Sequence, residues 1–182
     1  MPTDRASPKL AKKPIPAAYL ITFTCYGSHL HGDDRGSVDR DHNIPGTPAL
    51  APNSKRLGSE TGRTKNEPYR LDRLRRELVL RSLQEVCAYR GWMLRAAHVR
   101  SQHIHSVVSA QVSPEEILRD VKSYTSRALN HAGLDATGQL RWTRHGSTRY
   151  LWKPDEVGAA VNYVVREQGK PMAVWEQPDK LK

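Results

Sequence analysis

The chain is 182 residues long, and 29 lysines and arginines against 19 aspartates and glutamates give it a formal net charge of +10. At 37% hydrophobic and 26% charged it suits one globular domain, not a disordered chain or two independent cores. No run approaches the ~18 apolar residues of a membrane span, and two cysteines, Cys25 and Cys87, are too few for a disulfide scaffold or a Cys-rich zinc site.

An excess of positive charge on so small a domain favours a polyanionic partner, nucleic acid ahead of an anionic membrane. Residues 1–16 carry Lys, Pro and Ala where a signal peptide needs an apolar stretch, and read as a flexible basic arm of an intracellular protein. Ala18 to Tyr26 (AYLITFTCY) is β-branched and aromatic, apolar on both faces, and reads as an interior strand. Residues 27–68 form a long polar stretch with several glycines and prolines, either a functional loop or an insertion. Leu71 to Arg90 reads as a helix with Leu71, Leu74, Leu78, Leu83 and Val86 on its apolar stripe, stopped at Gly91.

Trp92–Val99 and His103–Ala110 read as strands, and the short Arg100–Gln102 link predicts a hairpin. Ser113 followed by Pro114 and Glu116 is an N-cap with proline in the first turn, opening a helix that runs to about Ala132, with Gly133 beyond it. Gln139–Trp152 reads as a loop with a short strand. Pro154-Asp155-Glu156 then opens a last helix to about Gln168, stopped by Gly169 and Pro171. The order predicts an α+β fold, an antiparallel sheet with helices packed on it in the split βαβ or ferredoxin-like pattern. The expected organisation is one domain over 17–172, followed by a C-terminal tail at 173–182.

Four groups of residues carry candidate chemistry. On a strand, His103 and His105 leave the same face while Ile104 leaves the other, so two imidazoles stand together as half of a metal site. His29-Leu30-His31 has the same spacing but lies where a strand breaks into a Gly-rich loop with Asp33 nearby. On the last helix, Val157, Ala160, Val161, Val164 and Val165 make one apolar stripe. Tyr163 sits beside it, with Glu167 one turn on and about 40° away; Gln168 falls where the helix is ending. Tyr124, among Lys122, Ser123, Ser126 and Arg127, is a rival nucleophile on a helix suited to phosphate contacts. No Gly-x-Ser-x-Gly elbow, Walker loop or dinucleotide-binding glycine pattern is present.

Together these features resemble the single-tyrosine transposases of the HUH (His-hydrophobe-His) endonuclease superfamily, the insertion-sequence type and its REP-associated tyrosine transposase relatives. The resemblance runs from Tyr19 to about Met172. It rests on YLITFTCYGSHLHGDDRGSVDRDHN, the His103-Ile104-His105 strand, Trp142-Thr143-Arg144-His145-Gly146-Ser147 and the helix reading Tyr163-Val164-Val165-Arg166-Glu167-Gln168-Gly169.

What it implies is a ferredoxin-like HUH endonuclease fold and a metal-dependent transposase that cleaves and rejoins single-stranded DNA through a 5′-phosphotyrosine. His103 and His105 would be metal ligands, Tyr163 the nucleophile and Mg²⁺ or Mn²⁺ the cofactor. The family's third ligand is a Gln one turn after the tyrosine. Here that slot is Glu167 and the Gln follows at Gln168, so both are candidates. Single-stranded or hairpin DNA would meet Lys122, Arg127, Arg144 and Arg149, with Trp142, Tyr150 and Trp152 for base stacking. The resemblance also implies a cytoplasmic, DNA-associated protein of a prokaryotic cell, with no membrane partner; homodimers are common in the family and some relatives are monomers. Two alternatives stand beside this reading. One is a domesticated, non-catalytic DNA-binding protein. The other is a replication-type HUH nickase, though those generally run longer and carry further domains.

Overall fold

A computed structural model describes residues 14–28, 67–136 and 138–178. The elements are β1 (Ala18–Thr24), α1 (Arg73–Arg90), β2 (Met93–Val99), β3 (His103–Ser109), α2 (Pro114–His131), β4 (Ser147–Leu151), α3 (Pro154–Arg166) and β5 (Ala173–Glu176). The strands form one sheet in the order β4-β1-β3-β2-β5, every neighbouring pair antiparallel. β1 and β2 therefore run parallel with β3 between them, the split βαβ arrangement expected from the element order.

The side-chain period of two divides the molecule. One face of the sheet presents Tyr19, Ile21, Phe23, Ile104, Val108 and Val99 to the helices α1 and α2. The other presents Ala18, Ala96 and Val107 to Ala160 and Val164 of α3. A bulge at Arg95 shifts the β2–β3 register between Leu94 and Ala96. The extra residue reverses the alternation along β2, so Leu94 packs with the α1/α2 core although Ala96 and His98 face α3.

The helix starts follow local chemistry. The Asp72 carboxylate accepts the Arg75 N–H at 2.8 Å and the Ser113 hydroxyl accepts the Glu116 N–H at 3.2 Å, each satisfying an N–H that has no partner within its helix. α1 consequently begins two residues after Leu71, which is buried ahead of the cap, and Leu74 is 55% exposed. The buried stripe is Val79, Ser82, Leu83, Val86 and Cys87, one step round the helix from the leucine-based expectation. Leucine spacing alone did not reveal that a valine and a cysteine face the sheet.

A second correction concerns the C-terminal tail. Residues 173–176 are β5, paired with β2 from Ala96↔Glu176 to Val99↔Ala173. Four residues between Pro171 and Pro178 show no alternation to read, and an edge strand is defined by its partner. Most of the arm (1–13), most of the polar stretch (29–66), with His29, His31 and Asp33, and the last four residues lie outside the described residues.

A polar knot closes the α1/α2 face at one end. Asp135 accepts hydrogen bonds from Arg141 Nε at 2.7 Å, Arg75 Nε at 3.0 Å and Tyr69 Oη at 2.8 Å. Burial alone would raise the Asp135 pKa, but bonds from Arg141, Tyr69 and Arg75 outweigh it and hold the carboxyl below its ordinary range. Among the described residues, no helix is long and apolar enough to cross a membrane.

Candidate active site

One row of the sheet, read across the strands on the α3 face, is Ser147, Thr22, His105, His98 and Val174. His105 is nearly buried and its Nδ1 lies 2.8 Å from Thr22 Oγ1. With the proton on Nδ1 donated to the threonine oxygen, the ring keeps the Nε2 lone pair for a metal, the usual way an outer partner fixes a ligating imidazole. Burial first, then the nearby His103, His98 and Arg100, push the His105 pKa down to about 3. The ring is neutral at physiological pH, as a metal ligand must be. His103 stands two residues along at the rim, its ring centroid 4.9 Å from that of His105.

α3 brings the phenol. Its Ala160 and Val164 are buried and Val157, Val161 and Val165 half-buried against the sheet, the stripe expected from the sequence. Tyr163, beside that stripe, is 40% exposed, and its ring meets His105 edge-on at 5.8 Å between centroids. The phenol lines a groove of about 850 Å³ with Thr22, Ser147, Arg149, Asp155 and Glu156. The histidine pair and the tyrosine, predicted from separate segments, thus meet within one chain.

α3 ends at Arg166, short of the expected Gln168. Gly169, with φ of +71°, turns the chain back toward β5. In that turn Gln168 Nε2 donates to the Tyr163 carbonyl at 3.1 Å, while a Glu167 carboxylate oxygen accepts from Asn162 Nδ2 at 2.5 Å. Among the described residues no three His, Cys, Asp or Glu side chains converge as a metal group, so Glu167 is not gathered with the histidines. Two imidazoles on one face, one of them bonded to Thr22, are a donor set that a divalent cation accepts.

The expected DNA-contacting cations disperse. Arg149 lines the Tyr163 groove. Arg144 lines a separate groove with Arg119, His145 and Lys122. The Lys122 ammonium donates to the carbonyls of Thr143 at 2.8 Å and His145 at 3.0 Å, pinning the loop before β4, and burial pushes its pKa down to about 8. Gly146, in that loop, has room for no side chain: a Cβ there would meet the Thr22 carbonyl oxygen at 2.7 Å. The Arg127 guanidinium lies 4.4 Å from the Tyr124 ring on α2, across the sheet from the histidines, which separates Tyr124 from the His pair.

Of the aromatics expected to stack on bases, Trp142 is half-buried and packs against the core. Its indole N–H donates to Ser126 Oγ at 2.9 Å and its ring packs edge-on against Phe23. Tyr150 and Trp152 are exposed and stack on each other at 6.0 Å. His98 was missed by reading the sequence. The register set by the β2–β3 turn places it opposite His105.

The family model described as "Transposase IS200 like" matches residues 63–154, about half of the chain, including both histidines and ending before Tyr163. Among the curated proteins none matches. One similar solved structure is described as that of the REP-associated tyrosine transposase bound to a REP hairpin. It is 10% identical, with a TM-score of 0.45, over 87% of this chain and 70% of that one.

Proposed function

The chain belongs to the IS200-like transposases, which act on DNA, and from that premise we propose that it cleaves and rejoins single-stranded DNA with Tyr163 as nucleophile. The observation that carries the proposal is the edge-on meeting of Tyr163 and His105 at the rim of a groove that also holds Arg149. Attack by Tyr163 Oη on a backbone phosphorus forms the phosphotyrosine bond as the bond to the 3′ oxygen breaks. The phenol proton passes to water and the leaving 3′ oxygen takes one up. The 5′-phosphotyrosine conserves the energy of the broken ester, so reversal by another 3′-OH joins strands without a nucleotide cofactor.

A divalent cation, Mg²⁺ or Mn²⁺, held by His103, His105 and either Gln168 or Glu167, would supply Lewis-acid stabilisation of charge on the phosphate. Thr22 orients His105 for that task, and Arg149 attracts the backbone into the groove. Gln168 and Glu167 each make one side-chain hydrogen bond, to the Tyr163 carbonyl and from Asn162, and each keeps an oxygen for the ion. The substrate in this reading is hairpin or single-stranded DNA in the cytoplasm of a prokaryotic cell. Homodimerisation is not needed to bring the phenol to the histidines.

The test is a denaturing gel of wild type and Tyr163→Phe with labelled hairpin DNA, with and without Mg²⁺ or Mn²⁺. A metal-dependent, protease-sensitive adduct in wild type alone is expected. An adduct in both proteins moves the nucleophile elsewhere, and none in either, with binding intact, makes the chain a non-catalytic DNA binder.

A further inference from the structure

His98 is fully buried on β2, directly opposite His105 in the sheet. Its Nδ1 lies 3.1 Å from the carbonyl oxygen of Val164, and its Nε2 lies 3.2 Å from the backbone N of Met172. A carbonyl only accepts and an N–H only donates, so one neutral tautomer, with the proton on Nδ1, satisfies both. The Val164 carbonyl follows Tyr163 in the chain and is among the last four of α3, which have no partner inside the helix. Met172 lies on the far side of the turn that carries Glu167 and Gln168. One imidazole therefore grips both ends of the segment that carries the candidate oxygen ligands and starts one residue after the nucleophile.

The rest of the α3 contact is smooth. Its buried members are Ala18, Ala96, Val107, Leu151, Ala160 and Val164, small or aliphatic side chains that fix a distance more than a height or a rotation. Hydrogen bonds are directional and supply what that surface lacks. Arg100, in the β2–β3 turn, adds a second tie by donating to the Lys170 carbonyl at 3.2 Å. A shift of a few tenths of an ångström at Val164 moves the phenol relative to His105, and attack geometry is sensitive on that scale.

We infer that His98 is a positioning residue for the transposase reaction, setting the height and rotation of the Tyr163 helix against the His103–His105 strand. The inference deepens the assignment of Tyr163 as nucleophile and rests on it. Asn at position 98 keeps a donor near the place of Nδ1, and Gln keeps an acceptor near the place of Nε2. His98→Leu keeps neither.

The experiment compares wild type with the Leu, Asn and Gln variants by adduct formation on hairpin DNA with Mn²⁺, by hairpin affinity, and by amide hydrogen exchange. Loss of adduct rate of roughly 10- to 100-fold in His98→Leu, with hairpin affinity within about threefold, is expected, and His98→Asn restores part of the rate. The Met172 and Glu167 amides should exchange roughly three- to tenfold faster in His98→Leu. Wild-type rates in all three folded variants overturn the inference. If His98→Leu does not fold, the Asn and Gln variants decide it: both at the wild-type rate overturn it, and Asn faster than Gln supports the Val164 bond as the one that matters. Should wild type form no adduct, the Tyr163 assignment fails. The exchange data then judge His98 alone, and unchanged protection at Met172 and Glu167 in the variants overturns its anchoring role.

Discussion

The two faces of the sheet are built on different principles. Against α1 and α2, nineteen buried side chains among the described residues form one core that includes Phe23, Trp92 and Leu83. Against α3, six small or aliphatic side chains suffice, and the helix is otherwise held at points: His98 on Val164, Arg100 on Lys170, and the Arg166–Glu176 ion pair at 3.0 Å. Bulk burial stabilises without choosing a fine geometry, whereas directional bonds choose geometry while adding little net stability. Separating the two lets the α3 face carry a half-exposed phenol and a histidine pair without weakening the fold.

Mutations can break or sharpen that contrast. The largest effect is expected at Phe23→Ala, which empties the thick core and should cost about 3–5 kcal/mol in urea denaturation. Tyr163→Phe on the thin face should stay within about 0.5 kcal/mol of wild type. Equal costs would mean that the faces do not divide the labour.

A cost of about 3 kcal/mol is expected for Asp135→Asn, which leaves Arg141 and Arg75 facing a neutral amide. The same carboxyl predicts acid lability. Its folded pKa is held below the ordinary value, so its contribution is complete above that value and fades as pH falls below about 4. Thermal melts from pH 6 to pH 2 should therefore fall less steeply for Asp135→Asn than for wild type.

The smallest effect is expected at Arg149→Ala. It should weaken hairpin binding about equally across sequences and reduce the salt slope by about one. Lys122→Met should leave the slope alone and lower the melting temperature, because its ammonium is committed to carbonyls. A binding titration over a range of salt separates the two.

Much of the fold was legible from local chemistry. The caps at Ser113 and Pro114, the valine stripe of α3 and the β2–β3 hairpin each need only residues close in sequence, and each stands where expected. The limits of α1 were less so, because the Asp72 cap overrides a leucine pattern that begins at Leu71. The faces of His103, His105 and Tyr163 were readable because strand and helix periods alone assign them. The bonds that Lys122 and Trp142 make within the fold were not readable, because their partners, the 143–145 carbonyls and Ser126, are distant in sequence.

By itself, then, the sequence determined a basic α+β chain, a pair of imidazoles on one strand face and a tyrosine at the edge of an amphipathic helix. Periodicity is a local property, and it was enough for these. Tertiary structure alone decided that the tyrosine reaches His105 within the same chain, that residues 173–176 complete the sheet, and that pairing with His105 puts His98 on the α3 face. Each of those depends on register between distant segments, where a slip of one residue reverses every side chain.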